Sequence, residues 1–108
     1  MSRAPKAGRR RVKAKPGHYL LRLFVVGDGS NSKLAESNLR SLCREHLDGR
    51  STIETIDVEK DFAAALRNNI LITPALVLVA PLPRVVVLGN LSDRPKVLLA
   101  LRLWDGAS

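Results

Sequence analysis

The side chains able to carry chemistry are few and scattered. Cys43 is the one cysteine in 108 residues, which excludes an internal disulfide and a metal site built of cysteines. It falls on the apolar side of a helical pattern and reads as a buried structural thiol, because a reactive thiolate needs exposure and positive neighbours. A thiol oxidoreductase would place a cysteine pair in the loop entering the first helix; here that loop is Gly27-Asp28-Gly29-Ser30-Asn31-Ser32. His18 and His46 have no carboxylate or cysteine at ligand spacing and read as ordinary side chains, His46 on a helix surface or end. Asp57 and Asp93 stand at element ends, where capping a helix explains them better than acid–base work. Gly27-Asp28-Gly29 lacks the third glycine of a dinucleotide fingerprint. These residues predict no enzyme: no catalytic group, no cofactor and no metal.

What the chain does carry is a conspicuous backbone signal. Asn69-Ile70-Leu71-Ile72-Thr73-Pro74-Ala75-Leu76-Val77-Leu78-Val79-Ala80 is an apolar run broken by Thr-Pro and then resumed. Proline cannot donate to a strand ladder, so Pro74 belongs at the first residue of a strand or at an edge. The bond before it, Thr73-Pro74, is a candidate cis peptide, since only X-Pro bonds have a small trans preference.

The elements around this turn follow from periodicity. Tyr19 to Val26 reads as a strand covered on both faces. Ser32 is a candidate N-cap with Glu36 in the first turn, and Leu34, Ala35, Leu39, Leu42, Cys43 and Leu47 follow at helical spacing. Gly49 can close that helix. Ser51 to Val58 is a second strand. Glu59 to Asn68 is a second helix with Phe62, Ala65, Leu66 and Asn69 along one side, started by Asp57 or Glu59. Leu76 to Ala80 and Arg84 to Leu88 make a hairpin across the rigid turn Pro81-Leu82-Pro83. After the turn Gly89-Asn90-Leu91, Ser92 can cap a last helix with Pro95 in its first turn and Val97, Leu101 and Trp104 on one face. The order is βαβαββα: an α/β fold with a four-stranded mixed sheet and helices on both faces, the thioredoxin-like arrangement.

Composition sets the boundaries. Residues 1–17 hold seven of the 18 Lys and Arg and no acid, whereas residues 18–108 hold eleven basic and ten acidic residues. The net charge of +8 is therefore that of a basic tail attached to a nearly neutral domain at 18–108. The tail composition predicts disorder and a solubilising extension rather than a phosphate- or membrane-binding arm. The domain lacks basic and aromatic interleaving, which argues against a nucleic-acid partner. No apolar span long enough for a membrane helix and no signal-peptide core occurs, so no membrane partner is expected and the default is a cytoplasmic protein.

Residues 19–103 resemble the KaiB family of clock proteins and their relatives in other bacteria. The matching stretches are Leu23-Phe24-Val25-Val26-Gly27, Ile56-Asp57-Val58, Ile70-Leu71-Ile72-Thr73-Pro74-Ala75-Leu76, Pro81-Leu82-Pro83 and Gly89-Asn90-Leu91-Ser92-Asp93-Arg94, followed by Lys96-Val97-Leu98. The resemblance implies a non-enzymatic binding protein that docks on a KaiC-like hexameric ATPase, with a KaiA-like protein or a sensor kinase as further partners. It also implies two folds from one sequence. The ground state, βαββααβ, forms tetramers or dimers. The binding state is a thioredoxin-like monomer, rebuilt in the half after about Val58. The turn residues Thr73, Pro74, Pro81, Pro83 and Gly89, Asn90, Leu91, Ser92 and Asp93 are the switch candidates. A sensor module of a signalling kinase and a nucleic-acid binder using the basic arm are the alternative functions.

The chain departs from the cyanobacterial pattern within the switching half. Asn90 replaces an acidic residue after the glycine, Val85 and Val86 replace a basic pair, and Pro95 replaces an acidic position. Local preference favours the thioredoxin-like state. Ala63 to Ala65 favours helix, Val85 to Val87 favours strand, and Lys96 to Trp104 is rich in helix-forming Leu and Ala behind a cap.

Overall fold

The computed structural model describes residues 17–103. The expected disorder of the basic tail and the contribution of Trp104 to the last helix fall outside them. The elements are β1 (Tyr19–Val25), α1 (Ser30–His46), β2 (Ser51–Asp57), α2 (Phe62–Arg67), β3 (Ala75–Ala80), β4 (Val85–Leu88) and α3 (Arg94–Ala100). The sheet runs β2-β1-β3-β4. β1 pairs with β2 in parallel and with β3 antiparallel, and β3 and β4 form the antiparallel hairpin. The βαβαββα order therefore holds, and the alternative βαββααβ order does not describe this structure. Residues 85–88 are strand and 94–100 are helix, as the valine run and the Leu/Ala-rich segment favour.

Alternation along the central strands builds two layers of core. Leu21, Leu23, Leu76 and Leu78 face α1 and α3 and pack with Leu39, Leu42, Leu47, Val97 and Leu101. Phe24, Ala75 and Val77 face α2 and meet Ala64, Ala65 and Ile70. The pattern is the period-two pleat of strands buried on both sides. The α2 layer is the thinner one, because α2 has only six residues and turns two alanines to the sheet.

Several local expectations are corrected. Ser32 does not cap α1: the helix starts at Ser30 behind Gly29, and the buried Ser32 hydroxyl accepts the Val26 N–H at 3.0 Å. Glu36 consequently lies beyond the first turn. Leu34 is half exposed rather than core. The α1 helix ends at His46 with Leu47 at its C-cap, and Gly49, φ +72°, shapes the turn beyond. The α2 helix is shorter than Glu59 to Asn68. Asp61 caps it, accepting the Ala64 N–H at 3.0 Å, while Asp57 bonds the Glu59 N–H in the preceding turn. Its buried face is Ala64 and Ala65, so Phe62 and Leu66 are largely exposed. Asp93, not Ser92, caps α3 by accepting the Lys96 N–H at 3.3 Å. That helix stops at Ala100, with Leu101 at its C-cap and Arg102 at φ +61°.

Candidate functional site

Two of the turns singled out in the sequence, Thr73-Pro74 and the one after β4, converge on one region of the fold. The Thr73-Pro74 bond is cis and delivers the chain into β3. The Pro74 carbonyl accepts the Gly89 N–H at 2.9 Å, which joins this turn to the turn after β4. Gly89 adopts φ +105°, a conformation that favours glycine. Asn90 organises the rest of that second turn. Its Oδ1 accepts the Ser92 N–H at 3.0 Å, its carbonyl accepts Asn38 Nδ2 at 2.9 Å, and its own Nδ2 lies 3.2 Å from Asn31 Oδ1. Leu91, at φ +65°, is buried in the α1/α3 core. Ser92 and Asp93 are exposed, with Asp93 engaged as the cap of α3. The Pro74–Gly89 bond thus joins Thr73 and Pro74 to Gly89, Asn90 and Leu91.

Pro81 and Pro83 lie elsewhere, at the opposite end of the sheet. Ala80-Pro81 and Leu82-Pro83 are also cis. Arg102 Nη2 donates to the Pro81 and Leu82 carbonyls at 2.9 and 3.3 Å, fastening the hairpin tip to the end of α3. These prolines are not part of the Pro74 region.

A groove that the residue-by-residue reading missed opens beside Pro74. Asn69, Ile70, Leu71, Ile72, Val86 and Leu88 line an open hollow of about 360 Å³. Leu71 is 87% exposed and Ile72 59%. Val86 and Leu88 pair opposite Val77 and Ala75, on the sheet face that α2 covers only in part. The signal was present in the sequence. Val85, Val86 and Val87 are apolar on both faces of a strand at the sheet's edge, so one face must stay uncovered when no helix lies over it. Exposed contiguous apolar side chains of this kind mark binding surfaces.

Candidate chemistry is not assembled here. Cys43 is buried against the sheet, and burial pushes its thiol up, with a Ser51 hydrogen bond opposing. His18 Nε2 lies 2.9 Å from Thr52 Oγ1, and His46 ends α1, giving its carbonyl to Arg50. Among the described residues no group of three or more His, Cys, Asp and Glu side chains converges. No helix of the described chain is long and apolar enough to cross a membrane.

Comparison with known proteins places this geometry. A family model described as the KaiB domain matches residues 22–103. A circadian clock oscillator protein KaiB of Synechococcus elongatus is 40% identical over 88 residues, covering 82% of this chain and 86% of the relative. KaiB of Nostoc punctiforme is 37% identical over 92 residues, covering 85% and 88%. Among solved structures, the N-terminal domain of Synechococcus elongatus SasA aligns with a TM-score of 0.66 at 21% identity, covering 100% of this chain and 99% of that one. The Drosophila melanogaster thioredoxin Deadhead aligns with a TM-score of 0.65 at 19% identity, covering 82% and 83%. The structural likenesses establish a thioredoxin-like fold. The sequence matches establish more: this chain belongs to the KaiB family.

Proposed function

We propose that this protein is a non-enzymatic binding protein that docks, in its thioredoxin-like state, on a KaiC-like hexameric ATPase to regulate a circadian or stress-response system. Membership of a family of clock oscillator proteins supports the class of partner. The observation that carries the reading to residues is the open apolar groove of Leu71, Ile72, Val86 and Leu88 beside the Thr73-Pro74 turn. It lies entirely in the half after Val58. A partner recognising it reads the folded state as well as the sequence.

The test is binding of the full chain, as a monomer, to the nucleotide-loaded hexamer of its cognate KaiC-like ATPase, measured by calorimetry. The double variant Leu71→Asp/Val86→Asp removes the apolar surface without touching the buried core. Tight binding by the parent and loss by about tenfold or more in the variant supports the proposal, since every 1.4 kcal/mol is about tenfold. Absence of binding by the parent to the cognate hexamer overturns it.

A further inference from the structure

The sheet order β2-β1-β3-β4 leaves β2 and β4 with one strand neighbour each among the described residues. The two edges differ in chemistry. The β2 edge, Ser51–Asp57, carries Thr52, Glu54 and Asp57, and charges of this kind keep an edge from pairing with another strand. The β4 edge reads Val-Val-Val-Leu, with no charge and no proline, and pairs with β3 in unbroken register. Arg84, just before it, does not guard the edge, because its Nη2 is turned back to the Asn68 carbonyl at 2.6 Å.

The open backbone groups of this edge can be assigned. Gly89 donates its N–H to the Pro74 carbonyl, so Gly89 faces β3. Backbone direction alternates along a strand, so Val87 and Val85 face β3 as well. Val86 and Leu88 therefore turn their N–H and C=O groups to the open side. Their side chains, 38% and 48% exposed, lie in the groove with Leu71 and Ile72. The same two residues thus present both unpaired backbone groups and apolar surface.

We infer that this edge pairs with β4 of a second copy, antiparallel about a two-fold axis at Val87, joining two four-stranded sheets into one of eight strands. In that register Val86 opposes Leu88 of the second copy, and Leu88 opposes its Val86. Each is a hydrogen-bonded pair that exchanges two N–H···O bonds, so all the outward groups of the two strands are satisfied. The two-fold stands perpendicular to the sheet, so both α2 faces lie on the same side and the two apolar grooves meet across the axis. A second copy fits better than a foreign strand because the edge is complementary to itself and has no charge with which to select another partner. The antiparallel arrangement also sets the two Arg84 side chains at opposite ends of the joint. The joint is small: a strand of four residues and its flanking side chains, against roughly 20–30 residues a side in a standard interface. The dimer is therefore weak and the dilute chain a monomer. The dimer covers Val86 and Leu88 and so excludes the docking proposed above, but it stands without that reading.

The test uses the full chain alone, so the ATPase has no part in its outcome. Sedimentation between about 1 μM and about 1 mM should show a monomer passing to a dimer. Val86→Pro removes an outward N–H and leaves the β3 ladder intact, and Val86→Lys places a charge in the joint. Each should weaken association at least about tenfold, with circular dichroism confirming the fold; the lysine variant decides the matter where the proline variant does not fold. In the concentrated sample the Val86 and Leu88 amides should exchange more slowly than in the dilute one, and those of Val85 and Val87 should be unchanged. In Cys43→Ala/Val87→Cys the two cysteines meet at the axis as a non-hydrogen-bonded pair, about 4.5 Å apart at Cα, and should form an intermolecular disulfide on oxidation. Cys43→Ala/Ser37→Cys, with its exposed thiol on α1, should cross-link more slowly. A monomer throughout the range overturns the inference and leaves the edge to another partner. A tetramer overturns it as well, since one β4 edge per copy closes at two. So does a dimer that both Val86 variants leave unchanged, which would assign association to another surface. A dimer in which Val87→Cys cross-links no faster than Ser37→Cys overturns the register.

Discussion

Tyr19 donates its buried hydroxyl to the Leu101 carbonyl at 2.9 Å, across 82 residues of chain. Tyr19 opens β1, in the half of the sequence that precedes Val58, and Leu101 closes α3, in the half after it. The bond is therefore made only when the last segment is helical and folded back onto the start of the sheet. Tyr19→Phe removes the donor and strands a buried carbonyl, which costs about 1–3 kcal/mol. Chemical denaturation should show that loss, with a fall in the thermal midpoint of about 4–8 °C per kcal/mol for a domain of this size. Unchanged stability would mean that water replaces the hydroxyl or that the last segment does not dock in solution.

The cap of α3 distinguishes two adjacent residues. Asp93→Ala should destabilise the thioredoxin-like state by about 1 kcal/mol, because it removes the acceptor for the Lys96 N–H. Ser92→Ala should change stability by less than about 0.5 kcal/mol, since Ser92 is exposed and contributes its backbone N–H to Asn90. Reversal of the two effects in urea melts would show Ser92 to be the cap.

Cys43 makes a prediction about alkaline pH. Burial, the larger influence, raises its thiol above the ordinary value, so the folded state holds the proton more tightly than the unfolded state. The resulting stability is fully present below the unfolded value and is lost as pH rises through the folded one. Urea midpoints of the parent should fall above about pH 8.5, the ordinary thiol value, and Cys43→Ala should flatten that part of the decline. The parent should also react slowly with a thiol reagent until unfolded and should not reduce insulin disulfides. Insulin reduction that Cys43→Ala abolishes would overturn the structural role.

The groove residues should separate stability from binding. Leu71 is 87% exposed, so Leu71→Ser should alter unfolding free energy by less than about 0.5 kcal/mol. Leu21, fully buried between β1's neighbours and α1, should lose about 2–5 kcal/mol on truncation to Ala. A large destabilisation by Leu71→Ser would show that this side chain is covered in solution, by a second copy or another conformation.

Much of this protein was legible from residue order. Hydrophobic periodicity is a local property, and it identified seven elements in the order found. Proline chemistry is also local, and it located the turn before β3. The burial of Cys43 followed from its place at helical spacing with Leu39 and Leu42. Capping was less legible. Ser32, Asp57, Ser92 and Asp93 all have the right chemistry for a helix start, and the choice depended on which competing partner was near. The Ser32 hydroxyl is taken by Val26, and the backbone of Ser92 is taken by Asn90.

The remaining features belong to the tertiary structure. Phe62 and Leu66 are apolar and suitably spaced, yet α2 turns Ala64 and Ala65 inward, where they meet Phe24, Ala75 and Val77. The groove beside Pro74 exists because that helix leaves Val86 and Leu88 uncovered. The Pro74–Gly89 bond depends on the antiparallel pairing of β3 with β4, which brings the two ends of that hairpin together and which no local pattern of residues specifies.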